Sequence, residues 1–144
     1  MSLKKEAKGF GMPWEESYGY AQAVKVGNTI YISGQLSHDD EGNIVGAAPL
    51  DDDGNILDCS NMDIQMRQTY ENAKRILSYY GATLDNVVEE VVYVTDVDVA
   101  LAVGGTVRKE AYGSEIPKVA CTLLATPRLA FPDQLVEIKF TAQV

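Results

Sequence analysis

Residues 20–35 decide the fold, and they read YAQAVKVGNTIYISGQ. Apolar and polar side chains alternate over residues 20–26, and residues 29–33 are β-branched and aromatic. Gly27 and Asn28 separate the two runs, and a two-residue Gly-Asn link between short strands is typical of a β-hairpin. We therefore predict two antiparallel strands at the start of the regular structure.

The segment before this hairpin has no clean period. Residues 1–19 are rich in Gly, Lys and Glu, so we interpret them as an irregular lead-in to one domain at residues 20–144. The length of 144 residues favours a single domain that can bury a sizeable core. We expect no secretory signal, because no apolar segment follows the charged N-terminus, and no apolar run reaches the roughly 18 residues that span a bilayer.

After the hairpin, the apolar period becomes that of a helix. Residues 62–80 form an apolar stripe at spacings of four and three, which predicts an α-helix with Gly81 as the left-handed residue after it. Ser60 and Asp63 resemble a capping box at its start. Further elements are predicted as a strand at 87–94, a helix at 99–112 capped by Asp96 or Asp98, and strands at 118–125 and 135–143.

This element order predicts an α+β fold with two helices on one face of the sheet. In the last strand, Glu137, Lys139 and Thr141 share one face, and Val136, Ile138 and Phe140 share the other. Two helices cover only one side of a sheet this apolar. We therefore expect self-association through the bare face.

The charge balance limits the possible partners. Lys and Arg number 12 against 21 Asp and Glu, a net charge of −9, which disfavours nucleic acid and anionic membranes. Cys59 and Cys121 form no Cys-x-x-Cys pair, His38 is the single histidine, and the acidic turns lack the ligand order of a calcium loop. We expect a cytoplasmic protein without metal or cofactor, and a solvent-exposed His38.

Four motifs in the same order resemble those of the RidA/YjgF family, whose members are also described as endoribonuclease L-PSP-like. They are YAQAV from residue 20, GNTIYISGQ from residue 27, VVYVTD from residue 91, and Pro132 followed by LVEI from residue 135. The resemblance implies a chorismate-mutase-like trimeric barrel, in which each chain has a six-stranded mixed sheet with two helices on one face. It also implies intersubunit clefts and cofactor-free hydrolysis of imines and enamines of 2-amino or 2-keto acids.

The chain departs from this family at its carboxylate-binding arginine. The family's P-x-R-[ST] motif reads PKVA at residues 117–120, which places Val119 at the arginine position. Counting back from Glu137 gives Thr122 instead, because the loop at residues 126–133 is about three residues longer than usual. Neither register supplies an arginine, and a planar bidentate fork is not replaced by another cation.

Other cations and polar groups near this motif do not restore the clamp. Lys118 is adjacent to Val119 and is expected to point to the opposite face of the strand. Arg128 in the longer loop could reach a cleft from another direction. Gly104 stands where the resemblance implies an asparagine in the second helix.

The resemblance places Glu137 at the family's catalytic glutamate. A carboxylate there would activate water and pass protons to the departing amine, although a salt-bridged strand carboxylate is the structural alternative. Tyr20 is a candidate to hydrogen-bond or stack on a ligand, or it is an amphipathic wall residue. Ser33 and Gly34 could bind a carboxylate or oxyanion, or the hydroxyl is bonded to backbone. Cys121 lies in the strand that lines the family cleft and is either an inert small hydrophobe or a nucleophile.

Three functions stay open at this point. The first is a homotrimeric hydrolase, or deaminase, of small reactive imines or enamines, with a preference altered by the missing arginine. The second is a non-catalytic trimer that binds a small molecule on the same scaffold. The third is an endoribonuclease, against which the acidic chain and the lack of a basic-aromatic platform argue.

Overall fold

One six-stranded mixed sheet carries the fold, in the order β1-β2-β3-β6-β4-β5. The computed structural model describes residues 2–144. The elements are β1 (Glu6–Lys8), α1 (Pro13–Tyr18), β2 (Ala23–Val26), β3 (Thr29–Gln35), α2 (Met62–Ser78), a 3-10 turn (Leu84–Asn86), β4 (Val87–Val94), α3 (Val97–Tyr112), β5 (Ala120–Ala125) and β6 (Val136–Gln143). Only β4 and β5 run parallel; the other neighbours are antiparallel. The expected α+β class and six-stranded mixed sheet are confirmed.

The predicted hairpin forms as β2 and β3. Val26 pairs with Thr29 across the turn, and Gly27 has a φ of 57°, a left-handed conformation that glycine adopts without strain. Along β3, Ile30 and Ile32 are buried while Tyr31 is 52% exposed, so the alternation read from the sequence corresponds to two faces.

Helix α2 packs on the sheet through the predicted stripe, which includes Met66, Tyr70, Ala73 and Leu77. The predicted capping box at its start is wrong, because the Ser60 hydroxyl donates to Asp58 at 2.6 Å and the helix begins after Asn61 without a side-chain cap. Gly81 follows the helix with the expected positive φ of 69°.

Helix α3 begins as the sequence predicts. The Asp96 carboxylate accepts a hydrogen bond from the Val99 amide at 3.0 Å, a side-chain cap for the first turn. Gly104 is buried where α3 crosses α2, and a Cβ built on it would lie 3.5 Å from the Met66 sulfur. Gly104 therefore lies at the close approach of the two helices.

The prediction of an irregular lead-in at residues 1–19 is wrong for two segments. Strand β1 pairs with β2 and extends the sheet, and α1 forms a short helix between β1 and β2. The Glu15 carboxylate fixes this region by accepting from the amides of Phe10 at 3.1 Å and Met12 at 3.0 Å. A three-residue strand and a six-residue helix are too short to show a period, so tertiary contacts decide them.

The two faces of β6 are as predicted. Val136, Ile138 and Phe140 are fully buried beneath the helices, while Glu137 lies on the opposite face. On that opposite face Glu137 pairs with Tyr93 of β4, and Tyr93 pairs with Leu124 of β5.

The prediction that His38 is exposed is also wrong. The residue is 2% exposed, and its ring contacts Phe10 and Trp14 edge-to-face, with ring centroids 5.3 Å apart in each pair. Both aromatic partners come from the N-terminal segment. Because that segment was predicted to be irregular, burial of His38 by its aromatic side chains could not be predicted.

Candidate functional site

A cavity of about 510 Å³ brings four predicted site residues together. Tyr20, Ser33, Gly34 and Glu137 all line it, although they come from three distant parts of the chain. The sheet order explains the meeting, because β6 inserts beside β3 and carries Glu137 to the hairpin.

A β-bulge positions Glu137. Between the pairs Ile32–Phe140 and Gln35–Ile138, β3 contributes two residues and β6 contributes one. Gly34 is one of those two, and a Cβ built on it would lie 2.3 Å from Oε1 of Glu137 and 2.7 Å from its Cγ. The glycine thus leaves the space in which the carboxylate rests against the backbone.

The partly buried environment of Glu137 raises its pKa. Burial raises the pKa of this carboxyl above its ordinary value of 4.5, and no cation among residues 2–144 offsets that effect. A carboxyl group whose pKa moves toward neutrality can both accept and return a proton at physiological pH. The role of Glu137 in proton transfer stays a prediction.

Tyr20 is held beside Glu137 with its hydroxyl proton available. Gln22 Nε2 donates to the Tyr20 oxygen at 3.3 Å and to Oε2 of Glu15 at 3.2 Å. Gln35 Nε2 in turn donates to Oε1 of Gln22 at 2.9 Å. Burial and the negative charges of Glu15 and Glu137 raise the pKa of Tyr20, so the phenol stays protonated and can donate to a ligand.

Ser33 adopts the structural alternative, in which its hydroxyl is bonded to the backbone. Its hydroxyl donates to the Ala21 carbonyl at 2.7 Å, and its amide donates to the Gln22 carbonyl at 2.8 Å. Both polar hydrogens of Ser33 are thus used within the fold. The residue forms the cavity wall and fixes the hairpin beneath Tyr20.

The structure does not bring the other predicted residues, Val119, Cys121 and Arg128, to this cavity within one chain. Val119 precedes β5 and packs partly buried against the core. Cys121 pairs with Glu90, which places its side chain on the helix-covered face, opposite Glu137. Arg128 lines a separate cavity with Cys59. The strand that contains Cys121 does not adjoin the strand that contains Glu137, because β5 is an edge strand and β4 separates it from β6.

Cys121 lies beside a buried polar cluster that the sequence analysis missed. Glu90 is fully buried, pairs with the Arg108 guanidinium, and accepts hydrogen bonds from the hydroxyls of Tyr70 at 3.1 Å and Tyr112 at 2.8 Å. Although Cys121 is accessible, partial burial and the charge of Glu90 raise the pKa of its thiol. The thiolate is therefore disfavoured, which supports the inert interpretation.

Three aromatic residues of the cavity were also missed. Trp14, Tyr18 and Phe131 join the predicted residues in its lining. Trp14 and Tyr18 lie in the segment that lacks a period, and Phe131 lies in the long loop. The one available signal was three aromatic side chains, Phe10, Trp14 and Tyr18, within a charged N-terminal segment.

Comparison with known proteins identifies the family. Residues 14–144 match the family described as Endoribonuclease L-PSP. The chain belongs to this family, also called RidA/YjgF. A RutC family protein of Pyrococcus abyssi is 34% identical over 125 residues, which cover 85% of this chain and 84% of the relative. A 2-iminobutanoate/2-iminopropanoate deaminase of Dermatophagoides farinae is 29% identical over 98 residues, covering 68% of this chain and 66% of the relative.

Solved structures of RidA/YjgF proteins share the fold. A member of the YjgF/YER057c/UK114 family from Mycobacterium tuberculosis superposes with a TM-score of 0.75 at 25% identity, covering 98% of this chain and 100% of the other. A protein described as a putative endoribonuclease from Thermotoga maritima gives a TM-score of 0.72 at 26% identity, covering 100% of this chain and 98% of the other. The α+β architecture inferred from the resemblance is thus the fold of this family.

The described residues contain neither a membrane-spanning helix nor a metal-binding cluster. No helix in residues 2–144 has the length and apolarity to cross a membrane. Within the same residues, no cluster of three or more His, Cys, Asp or Glu side chains is arranged to hold a metal ion.

Proposed function

We propose that this RidA/YjgF protein is a hydrolase of small reactive imines or enamines whose substrates are not anchored through an α-carboxylate. The observation that carries the proposal is Glu137, a partly buried carboxyl with a raised pKa at the wall of a ligand-sized cavity. The deaminase name of the Dermatophagoides farinae relative supports the reaction type.

The proposed reaction uses water as the only co-substrate. Glu137 takes a proton from water as the oxygen attacks the imine carbon and returns that proton to the imine nitrogen, which gives a neutral carbinolamine. Glu137 then transfers the hydroxyl proton of the carbinolamine to nitrogen, and the C–N bond breaks as the C=O bond forms, so that ammonia and a carbonyl compound leave. In this proposal the Tyr20 hydroxyl, whose raised pKa keeps it protonated, donates a hydrogen bond to the substrate nitrogen or to the new oxygen.

The altered specificity follows from the charges around the cavity. No Lys or Arg lines it in the described chain. The loss of a charge-assisted bidentate bond costs about 3 kcal/mol, or roughly a hundredfold in kcat/KM. We therefore propose weak turnover of 2-iminopropanoate and 2-iminobutanoate compared with imines that lack a carboxylate.

The test is ammonia release from a panel of imines generated in situ from their parent amines and amino acids. Glu137→Gln keeps the side-chain shape and should lower turnover by about 10²–10⁴-fold. Glu71→Gln is the matched control, because Glu71 is an exposed carboxylate on α2 that does not line this cavity. If no imine is hydrolysed faster than in buffer, the hydrolase proposal is wrong and binding without turnover is favoured.

We also propose that the protein is a homotrimer assembled through the sheet face opposite α2 and α3. Tyr31 and Leu124 are 52% and 39% exposed, and Glu137 opens onto the same face as Leu124. In such an assembly the edge strand β5 of another copy can adjoin the Glu137 cavity through the face that carries Leu124, whereas Val119 and Cys121 stay on the helix-covered side. Light scattering that shows a stable monomer at micromolar concentration would contradict this assembly.

A further inference from the structure

Two segments distant in sequence build an aromatic wall beside Glu137. Helix α1 supplies Trp14 and Tyr18, and the loop at residues 126–133 supplies Phe131. The rings of Trp14 and Phe131 meet edge-to-face, with centroids 5.3 Å apart and planes at 72°. The ring of Tyr18 meets that of Tyr20 at 6.1 Å. The wall therefore joins the N-terminal segment to the loop that is longer than the family pattern predicts.

Contacts behind the wall fix its position. The ring of Trp14 also packs on buried His38, with centroids 5.3 Å apart. On the loop side, the Phe131 amide donates to Oε1 of Gln134 at 3.4 Å, and Gln134 is fully buried. Both halves of the wall are thus anchored in the fold.

The charge of the cavity complements an organic cation. Glu137 is the single formally charged side chain that lines it within residues 2–144, and the carboxylate of Glu15 lies behind Tyr20. Aromatic rings attract cations through their quadrupoles, and they also bury the apolar part of the same ligand. An anion would meet no cation in this lining, so its desolvation would be uncompensated.

Building on the proposed function, we infer that the cavity takes iminium ions that carry an aryl or branched alkyl substituent. The iminium nitrogen pairs with the Glu137 carboxylate, and the substituent packs against Trp14, Tyr18 and Phe131. Hydrolysis converts the iminium ion and one water molecule into a carbonyl compound and ammonium. The preference is set by the wall and the carboxylate together.

Trp14 provides a direct readout, because it is the only tryptophan in the chain. Its fluorescence is titrated with benzyltrimethylammonium, a cation that cannot be hydrolysed as an imine, and in parallel with benzoate and with tetramethylammonium. We expect a saturable change whose Kd for benzyltrimethylammonium is about tenfold or more below that of either comparison compound. Equal Kd values for benzyltrimethylammonium and benzoate, or no saturable change, would overturn the inference.

Two substitutions distinguish binding at the aromatic wall from binding elsewhere on the protein surface. Phe131→Leu should raise the Kd of benzyltrimethylammonium by about tenfold, whereas Tyr79→Leu removes an aromatic ring outside the cavity and should leave it unchanged. Equal effects of the two substitutions would refute the role of the wall. Glu137→Gln should reduce the preference for the cation over benzoate.

The binding assay and the turnover assay test the inferred ligand chemistry and the hydrolase proposal independently. Selective binding of benzyltrimethylammonium without turnover of any imine would leave the inferred ligand chemistry standing and refute the hydrolase. Fast hydrolysis of 2-iminopropanoate without cation binding would refute the inferred ligand chemistry and leave the hydrolase standing.

Discussion

Gly34→Ala should abolish most activity while leaving the protein folded. The added Cβ would lie 2.3 Å from Oε1, 2.5 Å from Cδ and 2.7 Å from Cγ of Glu137. The glutamate side chain must therefore leave its position. Gly34 is not among the positive-φ glycines, so its backbone accepts alanine.

The expected loss of stability in Gly34→Ala is small, whereas the expected loss of activity is large. A side chain forced away from its preferred rotamer costs about 0.5–1.5 kcal/mol of stability. A displaced general acid–base lowers the rate by about 10²–10⁴-fold. We expect urea unfolding to show the small loss and ammonia release from the best imine of the panel to show the large one.

Two controls connect the effect to Glu137. Gly105→Ala lies in α3, where an added Cβ meets nothing within 4 Å, so it should leave kcat/KM unchanged and raise stability by about 0.5–1 kcal/mol. The double variant Gly34→Ala/Glu137→Gln should be as slow as Glu137→Gln alone. Full activity of Gly34→Ala, or a double variant far slower than Glu137→Gln, would refute this account.

Two further predictions concern stability. Because burial raises the folded-state pKa of Glu137 above 4.5, its contribution to stability is fully present below the unfolded pKa and is lost as the pH rises through the folded pKa. At pH about 8, Glu137→Gln should therefore have a free energy of unfolding equal to or higher than that of the wild type, as measured by urea titration. This difference in the free energy of unfolding should vanish near pH about 4. A stabilisation of Glu137→Gln that grows as the pH falls would contradict the predicted direction of the pH dependence. Glu90→Gln removes the buried partner of Arg108 and should lower the free energy of unfolding by about 3 kcal/mol, and a loss below about 1 kcal/mol in the same titration would show that the pair is dispensable.

Local patterns were sufficient for the long elements. The stripe from Met66 to Leu77 repeats over several turns, and the Gly-Asn turn fixes a hairpin between residues a few positions apart. Their physical causes act over short sequence distances, so single windows of sequence reveal them. The Glu137 face of β6 was likewise readable, because alternation along one strand assigns the two faces.

Only the tertiary structure decided which side chains share the site. Strand order placed Cys121 two strands away from β6 and on the helix-covered face, although the strand that contains it was predicted correctly. Trp14 reached Glu137 through a six-residue helix whose formation depends on contacts made by Glu15 and not on its own periodicity. His38 was buried by the same N-terminal segment. The sequence by itself determined the long elements, their faces and the family, because those depend on local pattern and on motif order. The composition of the cavity depended on packing between residues more than a hundred positions apart, for which no local period exists.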